Sequence, residues 1–123
     1  MAPDGRKSEF RSRTKRYAAG AIRLYCTLPT RTEVQVIGRQ LLRSATSVAS
    51  NYREASRARS DAEFISKIET CAQEADETLL WLELLEEECG ITGERLNWLK
   101  TETDELISIF VTMSKKVKSR RRF

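Results

Sequence analysis

Arg39 and Arg43, then Arg53 and Arg57, stand in pairs four residues apart, with Arg59 close behind. On a helix that spacing lays each pair along one face. Six more cations, Lys115, Lys116, Lys118, Arg120, Arg121 and Arg122, crowd residues 113–123 with no acid among them. Lys and Arg grouped in this way neutralise phosphates and release condensed counterions, which gives affinity for nucleic acid without reading its sequence. The same charges also suit helix C-termini and solubility, so a role without any nucleic acid stays open.

A second constellation mixes the signs. Arg43, Ser47, Asn51 and Glu54 are separated by four, four and three residues, and Glu74, Glu77 and Trp81 follow on a later segment. The spacing puts the first four on one helix side, next to an apolar seam. A buried charge without a partner costs several kcal/mol, so such groups must bond to one another. Their expected task is to set the register of one helix on the next, or of one protomer on another, with a ligand site as the alternative. Trp81, like Tyr25, Tyr52 and Trp98, is expected to pack a core or a subunit seam rather than to stack on bases.

Enzyme chemistry is poorly served. The chain has no histidine, which removes the commonest general base and the Glu-x-x-His pairs of di-iron bundles. Glu86-Glu87-Glu88 resembles a carboxylate cluster, but consecutive helical residues point around the axis rather than together. Gly90-Ile91-Thr92-Gly93 lacks the Lys-Ser/Thr ending of a phosphate loop. Cys26, Cys71 and Cys89 are an odd number at wide spacings, unsuited to a zinc site and expected to fill apolar or half-buried positions as free thiols. No catalytic residue, metal or cofactor is expected.

The elements that must position these residues read as helices. With 123 residues, one domain can bury roughly 70% of the surface its unfolded chain exposes. Only five Gly and two Pro occur, too few to punctuate a fold of short strands. Phe10, Thr14, Tyr17, Ala21, Leu24 and Leu28 mark a first helix from about Ser8, stopped by Pro29. Val34, Ile37, Leu41, Ala45, Val48, Tyr52 and Ala55 mark a second, with Thr32 as its expected N-cap and Glu33 favourably set at the positive end of the dipole. Ser60-Asp61-Ala62-Glu63 has the form of a capping box and is the sharpest boundary. The third helix carries Ile65, Ile68, Ala72, Ala75, Leu79, Leu82 and Leu85, flanked by Phe64, Cys71, Trp81 and Cys89, a stripe wide enough for a bundle interior. Gly90 suits a left-handed C-cap and Thr92 a new N-cap. Leu96, Leu99, Thr103, Leu106, Phe110, Met113 and Val117 mark a fourth helix to about Lys118. Residues 1–7 and 119–123 are expected to be basic flexible tails.

Short links at Pro29 and Gly90 make neighbouring helices antiparallel, so the expected fold is an all-α, up-down-up-down four-helix bundle. The net charge is +4, unevenly spread: Arg31 to Arg59 is basic, whereas Asp61 to Glu88 has ten acids against Lys67 alone. Helix two and helix three are then adjacent and opposite in sign, pairing across the hairpin or across a subunit boundary. The basic N-terminus is not followed by an apolar h-region, and Leu79–Leu85 is too short for a bilayer, so a cytoplasmic protein without a membrane segment is expected.

The run Gln40-Leu41-Leu42-Arg43-Ser44-Ala45-Thr46-Ser47-Val48-Ala49-Ser50-Asn51-Tyr52-Arg53-Glu54-Ala55, then Arg57-Ala58-Arg59-Ser60, Glu63-Phe64-Ile65 and Glu74-Ala75-Asp76-Glu77-Thr78-Leu79-Leu80-Trp81-Leu82-Glu83-Leu84-Leu85, closely resembles the four-helix bundle protein family. That family is also called the 23S ribosomal RNA intervening-sequence protein family. The resemblance implies a homopentameric barrel of antiparallel four-helix protomers with a basic surface. It also touches the accessory protein of diversity-generating retroelements, which partners a reverse transcriptase and binds nucleic acid. The expected function is thus a non-catalytic homo-oligomeric scaffold for RNA or DNA, accessory to a partner enzyme such as a reverse transcriptase. A protein-interaction module that binds no nucleic acid is the alternative, and a small-molecule pocket inside the bundle a third reading.

Overall fold

Pro29 has no amide hydrogen to donate, and the backbone turns ahead of it. In the computed structural model, which describes residues 3–120, α1 spans Pro3–Cys26, α2 Thr32–Ala55, α3 Asp61–Glu87 and α4 Glu94–Arg120. Thr27 and Leu28 close the end of α1 with amide bonds to the carbonyls of Leu24 and Tyr25. Gln35 braces the bend, donating to the Pro29 carbonyl at 2.8 Å and accepting from the Tyr25 hydroxyl at 2.8 Å.

Four local expectations are corrected. Arg31, not Thr32, holds the N-cap position of α2, because its carbonyl accepts the first helical amide, that of Gln35; it caps without a side-chain bond. At the start of α3 Ser60 accepts from the Glu63 amide at 3.1 Å as a cap should, but Glu63 reaches the Arg59 amide rather than that of Ser60. Gly93, not Thr92, holds the N-cap position of α4, its carbonyl accepting from the Asn97 amide. Residues 3–7 and 119–120 are helical rather than tail, since each added turn needs only backbone bonds once a helix is nucleated; Pro3 suits a first helical position. Met1, Ala2, Arg121, Arg122 and Phe123 lie outside the described residues.

Gly90 adopts φ +74°, the left-handed conformation expected at the end of α3, and the Ile91 amide closes onto the Leu85 carbonyl at 2.9 Å.

Each helix packs on its two neighbours in chain order; the α2–α3 interface is the most extensive and α1–α4 the least. This is the antiparallel up-down-up-down bundle, with a core running from Tyr52, Ile68 and Phe110 at one end through Tyr17, Leu41 and Ala75 to Leu85, Leu96 and Leu99 at the other. The seam of α3 differs from the expected one: Cys71 and Thr78 are buried, while Ala72 and Leu79 are only half-buried. Thr78 is admitted because its hydroxyl bonds the Ser44 hydroxyl across the interface at 2.7 Å. Tyr17 and Thr103 make a second buried hydroxyl pair between α1 and α4, and burial pushes the Tyr17 phenol up to about 12. Cys26 is exposed, contrary to expectation, while Cys71 and Cys89 are buried thiols. Trp98 is 46% exposed and lies across Gly20, where an added Cβ would come within 2.9 Å of its ring. Among the described residues no helix is long and apolar enough to cross a membrane.

Candidate nucleic-acid interface

Antiparallel threading brings the starts of α1 and α3 and the ends of α2 and α4 to one pole of the bundle. Contacts across this pole include Arg11 with Ser56, Lys67 with Glu54 and Lys118 with Glu69. In sequence, residues 3–15, 44–73 and 108–120 hold thirteen Lys and Arg against six Asp and Glu; residues 16–43 and 74–107 hold seven against twelve. Charges scattered along the chain therefore become a dipolar molecule, with a cationic pole where α2 and α4 present their carbonyl ends.

At the cationic pole Lys15 from α1 and Arg53 from α2 line a groove of about 720 Å³, joined by Arg57 and Arg59 from the turn between α2 and α3. Thr46, Ala49 and Ser50 complete its wall. Two carboxylates border it, and both are engaged: Glu54 pairs with Lys67 at 2.7 Å, and Glu63 accepts the Arg59 amide. The hydrogen bond and charge of Glu54 raise the Lys67 pKa. Lys15 was not among the candidate residues; its place on the face of Ala18, three positions on, is the only signal that could have found it.

The other candidate cations divide. Arg39 is exposed but lies fourteen residues before Arg53, about 21 Å along the helix, and so belongs to another level. Arg43 is clasped from α3 by Glu74 at 3.2 Å and Glu77 at 2.9 Å, which places it in the inter-helix network rather than in the groove. Lys118 donates to Glu69 at 2.6 Å, and Ser114 supports the same carboxylate at 3.3 Å. Those bonds hold the Glu69 carboxyl below its ordinary pKa, the Lys118 hydrogen bond contributing most. Lys115, Lys116 and Arg120 are exposed on the last turns of α4. Arg121 and Arg122 lie outside the described residues.

The mixed-sign cluster is only partly the register device expected. Arg43 with Glu74 and Glu77, and Glu54 with Lys67, do tie α2 to α3 inside one hairpin. Burial raises the Glu74 pKa, but bonds from Ser47 and Glu77 and the Arg43 charge outweigh it and leave the carboxyl lowered; Glu77 is raised, mainly by its hydrogen bond to Glu74. Asn51 stays within α2, its amide donating to the Ser47 carbonyl and hydroxyl at 2.9 Å each. Trp81 joins no network: it is half-buried, and its indole N–H is buried with no partner among the described residues. The buried Ser44–Thr78 pair was missed, although Thr78 falls four residues after Glu74, whose carbonyl it also meets at 2.8 Å.

Residues 6–112 match the model of the family described as 23S rRNA-intervening sequence protein. The chain belongs to that family. A crystal structure from Bacteroides thetaiotaomicron, described as a protein of unknown function from the S23 ribosomal protein family, is similar to this family member with a TM-score of 0.79. The two are 32% identical, and the alignment covers 89% of this chain and 97% of that one. No curated protein matches. The family match ends at residue 112, so Lys115, Lys116, Lys118 and Arg120 lie beyond it, whereas Lys15, Arg53, Arg57 and Arg59 lie within.

Proposed function

We propose that this protein is a non-catalytic, cytoplasmic, homo-oligomeric scaffold that binds nucleic acid through its cationic pole. The observation that carries the reading is the convergence of Lys15, Arg53, Arg57 and Arg59 on one groove whose two carboxylates are already engaged. A phosphate backbone entering there meets cations that need not first break an ion pair. The groove offers positive charge and hydroxyls, the groups that contact a phosphate backbone. The absence of histidine and the clasping of Glu74 and Glu77 by Arg43 support a role without catalysis.

Ile22, Val36, Leu80 and Trp98 support the oligomeric part, each about half exposed on the bundle sides. The pentamer implied by the family predicts a light-scattering mass about five times the 14.1 kDa of the chain; a monomer would refute it. Repetition of one groove around a ring strengthens weak contacts by roughly 10² to 10⁴. A partner enzyme such as a reverse transcriptase would be recruited on the same ring.

The deciding experiment follows fluorescence anisotropy of a labelled RNA hairpin and a labelled DNA duplex as salt is raised. Four phosphate contacts on duplex DNA give a slope of about −3 to −4 in log K against log salt. Absence of binding at low salt would remove the reading.

A further inference from the structure

The same pole holds a second groove of different character, about 890 Å³, between the start of α1 and the end of α4. Phe10, Tyr52, Phe64, Ile109, Met113 and Val117 give it an apolar floor. Arg6 and Lys7 stand on one bank and Lys116 and Arg120 on the other, none of them in an ion pair among the described residues. The groove lies beyond the point where Arg13 ties α1 to α4 by bonds to Glu102 at 2.7 and 2.9 Å and to Glu105 at 3.2 Å. There Phe10 turns to Tyr52, with ring centroids 6.0 Å apart, and leaves the α4 face from Ser108 to Arg120 without a full partner. That face is about 18 Å long, three turns of helix.

We propose that this groove docks an acidic amphipathic helix of a protein partner, about three turns long, with apolar residues on the floor and carboxylates toward the two cationic banks. Charge complementarity selects the occupant. Four cations on opposite banks call for anions along both edges of the ligand, which one helix with Glu or Asp flanking an apolar stripe supplies. A single-stranded nucleic acid would need ring faces to stack on, yet Tyr52 is 2% exposed and Phe10 is tilted 54° to it. A lipid bilayer would need a protruding apolar surface, and this one is recessed. The inference goes beyond the nucleic-acid reading and does not depend on it, since the phosphate groove lies between α1 and α2.

The test uses the full-length protein and a fluorescein-labelled 16-residue peptide with Leu at helical spacing flanked by Glu. Its controls are the same residues scrambled and a version with Lys for Glu. The helical acidic peptide should bind at least tenfold more tightly than either control. Met113→Gln should weaken it about tenfold while leaving the affinity for the RNA hairpin unchanged. Lys116→Glu with Arg120→Glu, both on exposed positions, provides a second test if Met113→Gln does not fold by circular dichroism, and should likewise weaken the peptide about tenfold. Equal binding of helical and scrambled peptides, equal binding of the Lys version, or no peptide binding would overturn the proposal. So would loss of RNA affinity in Met113→Gln matching its loss of peptide affinity, which would make the groove part of the nucleic-acid surface. Binding of the protein to vesicles of anionic phospholipid without binding of the peptide would overturn it in favour of a membrane.

Discussion

The two poles of the bundle share one core and differ in almost everything outside it. At the acidic pole the α3–α4 link is closed by a left-handed glycine, Lys100 donates to Glu86 at 2.6 Å, and Arg31 reaches over to the Cys89 carbonyl at 2.7 Å. Most carboxylates there are surplus; Arg31, Arg43 and Lys100 are bonded across helices, whereas Arg16, Arg23, Arg39 and Arg95 stand apart on the surface without an ion pair among the described residues. At the cationic pole two grooves open, and all eight cations lining them, Arg6, Lys7, Lys15, Arg53, Arg57, Arg59, Lys116 and Arg120, have no ion-pair partner among the described residues. Unpaired like charges held close together repel and work against the compact state, whatever they do for association. Burial alone does not account for that arrangement; the nucleic-acid binding proposed above would.

The largest test addresses the shared core. Phe110 is fully buried and stacks on Tyr52 at 6.2 Å beneath the cationic pole, so Phe110→Ala should lower stability by about 3–5 kcal/mol in urea unfolding. If the acidic pole then kept its helices through a separate transition, the poles would be independent units and the comparison would be redrawn. Next is charge reversal: Arg53→Glu, Arg57→Glu and Arg59→Glu together should cut RNA affinity about 100-fold, roughly 2.7 kcal/mol, in anisotropy titrations. Thermal stability should stay the same or rise, since repulsion is relieved. Glu87→Gln with Glu88→Gln at the opposite pole should change RNA affinity less than twofold.

A smaller effect is expected at the pin between α1 and α4. Glu102→Ala removes two of the three bonds to the partly buried Arg13 guanidinium and leaves only the one to Glu105, with a cost of about 1–3 kcal/mol in thermal melts. The weakest signature is alkaline. Burial lifts both Tyr17 and the Cys71 thiol to about 12 in the folded protein, from ordinary values of 10.0 and 9.0. The folded state therefore prefers these groups protonated. Their contribution is complete below pH 9 and is lost as pH rises toward 12, so the urea midpoint should fall across that window and fall less in Tyr17→Phe. At neutral pH a thiol reagent should modify Cys26 quickly and Cys71 and Cys89 only on unfolding.

Much of the scaffold was legible. The three-four spacing of apolar residues located all four helices, and Pro29, Ser60 and Gly90 marked the boundaries, because each acts through backbone chemistry local to itself. The misses share a cause. Thr78 replaced Leu79 on the α3 seam because a partner hydroxyl, Ser44, waits on α2, thirty-four residues away in sequence. Arg43 looked as free as Arg53 until Glu74 and Glu77 faced it. Trp98 looked like a core residue until Gly20 let its ring lie outside. In each case the residue's type was plain and its neighbour was not.

By itself the sequence determined an all-helical chain with one apolar interior and separated blocks of charge, since hydrophobic period and composition are properties of the chain. Only the tertiary structure decided which cations are ion-paired, which stand free, and where two grooves open. Those outcomes depend on distances between side chains on different helices, and such distances come into being only when antiparallel packing sets residues far apart in sequence against one another.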